Sequence, residues 1–326
     1  MDLVVFKSEQ LQPALRALWV VANANGSVTP EEHQFFSTLA ELHHQPVPEL
    51  GAIGFDEVAE AIPDAHARHR LTQLAVVTAM IDQDPTHAQS DTVNALASAL
   101  GQEERGLKLL RDLAAHRRLL VRLDAMRRML AGRFMGDSAL EKLGRFKDVL
   151  AAVTGIARFD GERSMKFRKL GLLPEGTLGR EFFKFTVSRG FFFPGDNAAG
   201  VIEETVFHDF GHVLAGYDST EDGEIRQGSF QAGNRRDDGF VFLCFVIAQF
   251  HLGYAIMPAV ARPLKGRFNV PAVLEAVSRG AACKVDLTDH WDFWPHVERR
   301  VHDLREEFGI PPIRHVHEGV QPGYTP

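Results

Sequence analysis

Leu11-Gln12-Pro13-Ala14-Leu15-Arg16-Ala17-Leu18-Trp19-Val20-Val21 places apolar side chains at 11, 15, 18 and 21, a recurrence at three and four residues that marks one face of a helix. The same period continues through the first 130 residues, and no run there alternates as a half-buried strand would. The chain therefore reads as all-α. With 326 residues it is long enough for two cores. The glycine-containing stretch Ala131-Gly132-Arg133-Phe134-Met135-Gly136-Asp137 is the natural junction. We expect two helical domains, 1–135 and 136–326.

An apolar fraction of 45% and a charged fraction of 24% are those of an ordinary globular chain and argue against disordered or fibrous structure. The 36 Lys+Arg against 43 Asp+Glu, net −7, provide no overall attraction to nucleic acid, so nucleic acid is not expected as a partner. Two cysteines, Cys244 and Cys283, cannot build a disulfide framework and suit a reducing compartment. Met1 to Ser8 shows neither a basic n-region before a long apolar stretch nor an Arg-rich transit character. The expected location is cytoplasmic, with contact at the inner face of a membrane left open.

Two segments raise that membrane question. Gly239 to Ala261 runs 23 residues without a formal charge, enough to span a bilayer. Gln249, His251, two glycines and Pro258 interrupt it, so we read a buried core helix, with a membrane-touching element as the alternative. Residues 1–100 hold 4 Lys+Arg against 13 Asp+Glu, whereas Arg105 to Arg133 is basic. The segment RGLKLLRDLAAHRRLLVRLDAMRRML reads as one amphipathic helix. Its basic face is either solvated and packed against the acidic first half, or a dock for an acidic partner or lipid headgroups.

Two stretches of the first domain look alike. Val20-Val21-Ala22-Asn23-Ala24-Asn25-Gly26-Ser27-Val28-Thr29-Pro30-Glu31-Glu32 and Val77-Thr78-Ala79-Met80-Ile81-Asp82-Gln83-Asp84, leading to Ser90-Asp91, each read as apolar helix, polar turn and new helix. Over about residues 10–115 this resembles the tellurite-resistance B-type helical domain. Asn25 stands where that family's first turn commonly carries an aspartate. We read Asn25-Gly26 as a plain turn, and Thr29 with Glu32 as a capping box around Pro30 at the first helical position.

Chemistry concentrates in Phe207-His208-Asp209-Phe210-Gly211-His212. On a helix, 208, 209 and 212 fall at 0°, about 100° and about 40° around the axis, on one side. A histidine pair at i, i+4 can hold one metal ion; alone, the same pattern equally suits a surface helix with one buried histidine. A divalent ion wants a further donor, and Asp218, Glu221, Asp222 and Glu224 lie downstream. Along an unbroken helix Glu224 would stand about 18 Å beyond His212, too far for shared ligation at about 2 Å. Gly216-Tyr217-Asp218-Ser219-Thr220 breaks the helix, and a second helix starting near Thr220 or Gly223 can bring Glu224 back.

His208, Asp209 and His212 followed by eleven residues and Glu224 resemble the signature of the fourth numbered family of ubiquinone (coenzyme Q) biosynthesis proteins. The flanks are similar too: Leu173-Pro174-Glu175-Gly176-Thr177-Leu178-Gly179 upstream, Gly216-Tyr217 after the histidines, and Trp291-Asp292 through Leu304-Arg305-Glu306-Glu307-Phe308-Gly309-Ile310 at the end. The resemblance covers about residues 140–313. It implies a metal site of His208, Asp209, His212 and Glu224 and a helical domain with a hydrophobic cavity beside it. It also implies a polyprenylated aromatic substrate undergoing oxidative decarboxylation with ring hydroxylation, or a scaffold that organises a biosynthetic complex at a membrane.

Two imidazoles with carboxylates leave coordination positions open, which fits zinc or oxygen-activating iron best and also admits magnesium or manganese. No GxGxxG after a strand and no CxxC is present, so an oxidative reaction would use oxygen. Thirteen of the 24 phenylalanines lie between Phe182 and Phe250, a density that suits either an isoprenoid tunnel or an aromatic core. His251 reads as a core histidine or a pocket donor. His290, His296, His302, His315 and His317 receive no role, and Arg226, Arg235 and Arg236 read as surface residues or anion binders.

Two functions follow as expectations. One is a metal-dependent enzyme that modifies a prenylated or other hydrophobic aromatic ring in quinone-like or specialised metabolism. The other is an isoprenoid-lipid-binding scaffold working with biosynthetic partner proteins or as a homo-oligomer. A phosphohydrolase built on paired His and Asp is weaker, because it needs a further upstream histidine and a distant aspartate that the sequence does not supply.

Overall fold

The computed structural model describes residues 1–82, 85–117, 119–121, 160–196, 203, 206–236, 239–256, 262–288, 291–314 and 319–321. These residues form helices joined by turns, with only isolated bridges such as Thr177 with Arg300 and no strand among them. The protein is all-α. Its chain divides into two compact units, one of residues 1–125 with 237–278 and the other of 126–236 with 279–326. The expected junction near residue 135 lies outside the described residues. The division is also not a single cut, since Asp237–Ser278 groups with the N-terminal helices.

The first unit contains α1 (Ser8–Ala22), α2 (Pro30–Leu42), α3 (Phe55–Ala61), α4 (Ala65–Ile81), α5 (His87–Ala99) and α6 (Arg105–Ala114). Every residue of α4 from Arg70 to Ile81 is buried, as expected of a central helix covered on all sides. The turn after α1 is the expected one, with Gly26 at φ 98°. Thr29 and Glu32 cap α2 reciprocally: the Glu32 amide donates to the Thr29 hydroxyl at 3.2 Å and the Thr29 amide donates to the Glu32 carboxylate at 2.8 Å.

The basic segment is not one helix. α6 stops at Ala114 because His116 takes φ 52°, and the His116 and Arg117 amides turn back to the Leu113 and Asp112 carbonyls at 2.8 and 2.9 Å. This is a Schellman closure, a left-handed end that histidine adopts less readily than glycine. Two cations of the segment are spent locally, since Lys108 and Arg117 both pair with Asp112 at 3.1 and 3.3 Å. Residues beyond 121 of this segment lie outside the described set.

The uncharged stretch forms a 12-residue helix, α7 (Gly239–Phe250), buried over nearly its whole length in the first unit. It packs on α4 and α6. An added Cβ at Gly106 of α6 would stand 2.5 Å from the Phe240 ring, so glycine there admits that side chain. His251 is the core histidine of the two alternatives, 3% exposed, and donates from Nε2 to the Ile81 carbonyl at 2.6 Å. No described helix is long and apolar enough to cross a membrane. Both cysteines are free and buried.

The second unit contains α8 (Gly161–Arg168), α9 (Leu178–Ser188), α10 (Phe207–Ala215), α11 (Glu221–Asn234) and α12 (Val301–Phe308). Its core is aromatic. Phe182 of α9 stacks on Phe210 of α10 with centroids 4.1 Å apart, and Phe210 stacks on Phe293 at 4.4 Å. The phenylalanine-rich stretch is therefore shared out, because Phe240, Phe242 and Phe245 lie in the first unit and Phe182, Phe193, Phe210 and Phe230 in the second. The two flanking motifs meet: the Leu178 and Gly179 amides donate to the Arg299 and Val297 carbonyls, and the Val301 amide donates to that of Gly176.

Candidate metal centre

α10 ends where it must for Glu224 to return. Gly216 takes φ 85°, a left-handed conformation open to glycine. The last-turn carbonyls, orphaned by the helix ending, are all claimed. Gln321 donates to His212, Arg305 to Val213 and Leu214, and Arg279 to Ala215, at 2.8–3.0 Å. Two guanidinium groups thus sit at the negative end of the helix dipole and hold it stiffly. Arg279 also donates to the Tyr217 hydroxyl at 2.6 Å, anchoring the residue at which the chain turns.

After the turn, Thr220 caps α11 by accepting from the Gly223 amide at 3.2 Å, and Asp218 accepts from the Thr220 amide at 2.8 Å. A Cβ on Gly223 would stand 2.1 Å from the Asp218 carbonyl oxygen, so only glycine allows α11 to begin this close to the turn. Glu224 then falls in the first turn of α11, where the helix dipole favours its negative charge. Gly211 brings the two helices together, since a Cβ there would overlap the Gln227 amide at 2.2 Å. Replacing Gly211 with Val should cost about 1–3 kcal/mol by overpacking and lower metal content by parting Glu224 from the histidines. Denaturant melts and metal analysis of the variant check this, and unchanged values on both would refute the close-approach argument.

The ligand atoms of His208, His212 and Glu224 all lie within 4.8 Å of one another. Glu224 Oε2 is 3.1 Å from His208 Nε2, Glu224 Oε1 is 3.4 Å from His212 Nε2, and the two Nε2 atoms are 3.1 Å apart. Donors bound at about 2.0–2.1 Å in tetrahedral geometry stand roughly 3.3 Å from each other, close to the spacing of the two Nε2 atoms and of each from the carboxylate oxygen it faces. The outer nitrogens are fixed as well. His208 Nδ1 meets the Gln231 side-chain oxygen at 3.0 Å, and His212 Nδ1 meets the Tyr217 carbonyl at 3.1 Å. Each Nδ1–H donates outward, which aims both Nε2 atoms inward at the carboxylate, the arrangement that orients metal-bound imidazoles.

Three acceptor atoms converging in this way need a cation among them. In the metal-free chain a proton serves. Burial alone would lower the His208 imidazole, but its hydrogen bond to Glu224 and the charges of Glu224 and Asp209 raise it to about 9. Burial would raise Glu224, yet the two histidines hold it well below the usual carboxylate range. Asp209, the fourth residue of the resemblance, is partly buried beside the trio but is not one of the three whose ligand atoms converge. Burial pushes its carboxyl above the usual range, opposed by the histidine charges.

Other candidates lie elsewhere. Arg226 is buried, and Arg236 donates to the Cys283 carbonyl at 2.7 Å and, from its backbone, to Asp286 at 3.2 Å. His290, His315 and His317 lie outside the described residues. Three residues that the sequence reading passed over now bear on the site: Gln231, which orients His208; Phe185, whose ring stacks on His212 at 5.1 Å; and Arg189, whose guanidinium carbon lies 3.9 Å from the centre of the Phe185 ring. For Gln231 a helical signal existed, since it stands seven residues, about two turns, after Glu224. No family model, no curated protein and no solved structure matches this chain.

Proposed function

We propose that the chain is a metal-dependent enzyme that modifies a hydrophobic aromatic ring, with a prenylated hydroxybenzoate as the substrate type and oxidative decarboxylation with hydroxylation as the reaction type. The observation that carries this is the inward aim of His208 Nε2 and His212 Nε2, 3.1 Å apart, at the two Glu224 oxygens, 3.1 and 3.4 Å away, with both Nδ1 atoms engaged outward. The motif resemblance supplies the substrate class. His208, His212 and Glu224 would hold the ion, and zinc or iron bound there would supply Lewis acidity toward a phenolic hydroxyl, leaving positions open for substrate.

The chain's own groups provide the rest. Gln231 and the Tyr217 carbonyl keep each imidazole in one tautomer and orientation. Asp209, whose carboxyl burial pushes above the usual range, would give or take a proton beside the ion. Phe185 backs His212 with an apolar face and keeps water off that side. The test incubates zinc- or iron-loaded protein with a prenylated 4-hydroxybenzoate in air and follows the ring product by mass spectrometry. Product should form with wild type and be absent with His212→Ala. Equal product from both proteins, or none from metal-loaded wild type, would sink the reading.

A further inference from the structure

Arg189 caps α9 and reaches toward the turn between α10 and α11. Its Nε donates to the Ser219 hydroxyl, and its Nη1 donates to the Phe185 carbonyl at 3.1 Å and to the Ser188 hydroxyl at 3.2 Å. The planar group is thus pinned from two elements. It lies over the Phe185 ring at 3.9 Å, and that ring in turn stacks on His212. Its second terminal nitrogen, Nη2, has no hydrogen-bond partner among the described residues, and no carboxylate among them lies within ion-pair distance. Burial works against its charge, and the carboxylates of Asp218, Glu224 and Asp209 favour it from beyond ion-pair distance.

A guanidinium fixed in place, partly withdrawn from water and left with one open N–H edge is a preorganised receiver for an oxyanion. Immediately after it, Gly190 turns the chain at φ 69°, followed by Phe191 and Phe192, 45% and 50% exposed. Phe185 and Phe191 are in edge contact at 6.2 Å. Charge and apolar rings therefore stand side by side on the Phe185 ring that backs His212. Arg226 and Arg236, which follow the metal segment in sequence, do not share this position, because one is buried and the other is bound to backbone and Asp286.

We infer that Arg189 is the specificity-determining residue that anchors an oxyanion group, carboxylate or phosphate, on the apolar ligand received by the His208–His212–Glu224 site. This deepens the proposed function, on which it rests for the ligand's apolar part. It has a separate readout in binding.

The experiment uses the full chain, with and without zinc, and isothermal titration with three probes: 4-hydroxybenzoate, phenyl phosphate and phenol. Wild type should bind at least one of the two anions about tenfold or more tighter than phenol, and which anion prevails separates a ring carboxylate from a phosphate headgroup. Arg189→Gln should bring the anion-to-phenol ratio close to one, Arg189→Lys should keep part of it, and zinc content should not fall in either. A wild-type ratio near one, or a ratio that survives Arg189→Gln, overturns the assignment. Measuring without zinc separates the two readings: a failure to hold metal counts against the proposed function, while an Arg189-dependent preference in the metal-free chain still upholds this inference. Thermal melts of both variants show that they fold, and the lysine variant keeps the test decisive if glutamine does not.

Discussion

If the proposed centre holds its divalent ion, removing that ion from the purified protein should lower the melting temperature by on the order of 10 °C. An ion present at about a thousand times its dissociation constant stabilises the native chain by about 4 kcal/mol, and each kcal/mol moves the midpoint by a few degrees in a domain of this size. The pH dependence gives this expectation its sign. Without metal, the raised His208 pKa contributes stability that is fully present below about 6.5 and is lost as pH rises through about 9. Glu224, whose pKa is depressed, contributes stability present above 4.5 and lost as pH falls below it. The metal-free cluster is therefore at its best between these limits. Metal and proton compete for the same Nε2, so metal affinity climbs with pH up to about 9. The gap in melting temperature between loaded and stripped protein should widen from pH 6.5 to 9. Differential scanning fluorimetry across that range, with chelator and with zinc, measures it. A gap that is constant or narrows would show that no ion replaces the His208 proton.

That expectation was largely legible in the residues. The i, i+4 histidines and the glycine after the helix are local signals; the choice of Glu224 among four downstream acids comes from the motif resemblance, and helix length adds that the helix must break for it to reach the histidines. What makes the return tight was not legible. Gly211 and Gly223 matter because of which atoms lie opposite them, Gln227 and Asp218, and such pairings are settled only when the helices meet. Arg279 and Arg305, which hold the α10 carbonyls, lie 64 to 92 residues away from them, and no periodicity connects them.

Asp209 shows the limit of angular reasoning. A separation of 100° from His208 puts a side chain on the same half of a helix, but a ligand must meet an ion within a few tenths of an ångström. The converging atoms are those of His208, His212 and Glu224. α6 likewise ends inside an apolar pattern that continues past it, because its stop is a backbone event at His116 with no glycine or proline to announce it. The grouping of Asp237–Ser278 with the first unit depends on contacts far apart in sequence, such as that of His251 with Ile81. A contiguous reading of domains has no means of anticipating it.

Glu224→Gln should reduce turnover a hundredfold or more while the protein stays folded. The substitution keeps the shape of a side chain 25% exposed and removes one negative charge from the converging trio. The amide can still hydrogen-bond to His208, now by donating its N–H to Nε2, so the α10–α11 packing at Gly211 should not be disturbed. The lost charge is another matter, because a neutral amide is a poorer partner for a divalent cation and metal affinity should fall with it. Losing a principal electrostatic contact costs about 3 kcal/mol in active sites, which is the size of the expected rate effect. If the chain instead acts as a lipid-holding scaffold, prenyl-lipid retention should hardly change, since burying the chain contributes about 0.8 kcal/mol per methylene and does not involve Glu224. Metal content, product formation and lipid retention measured on wild type and variant together separate the two. Loss of product with retained lipid supports catalysis at this site. A variant that holds metal and turns over substrate like wild type would remove Glu224 from the site, and with it the argument that the turn at Gly216 exists to bring this carboxylate to the histidines.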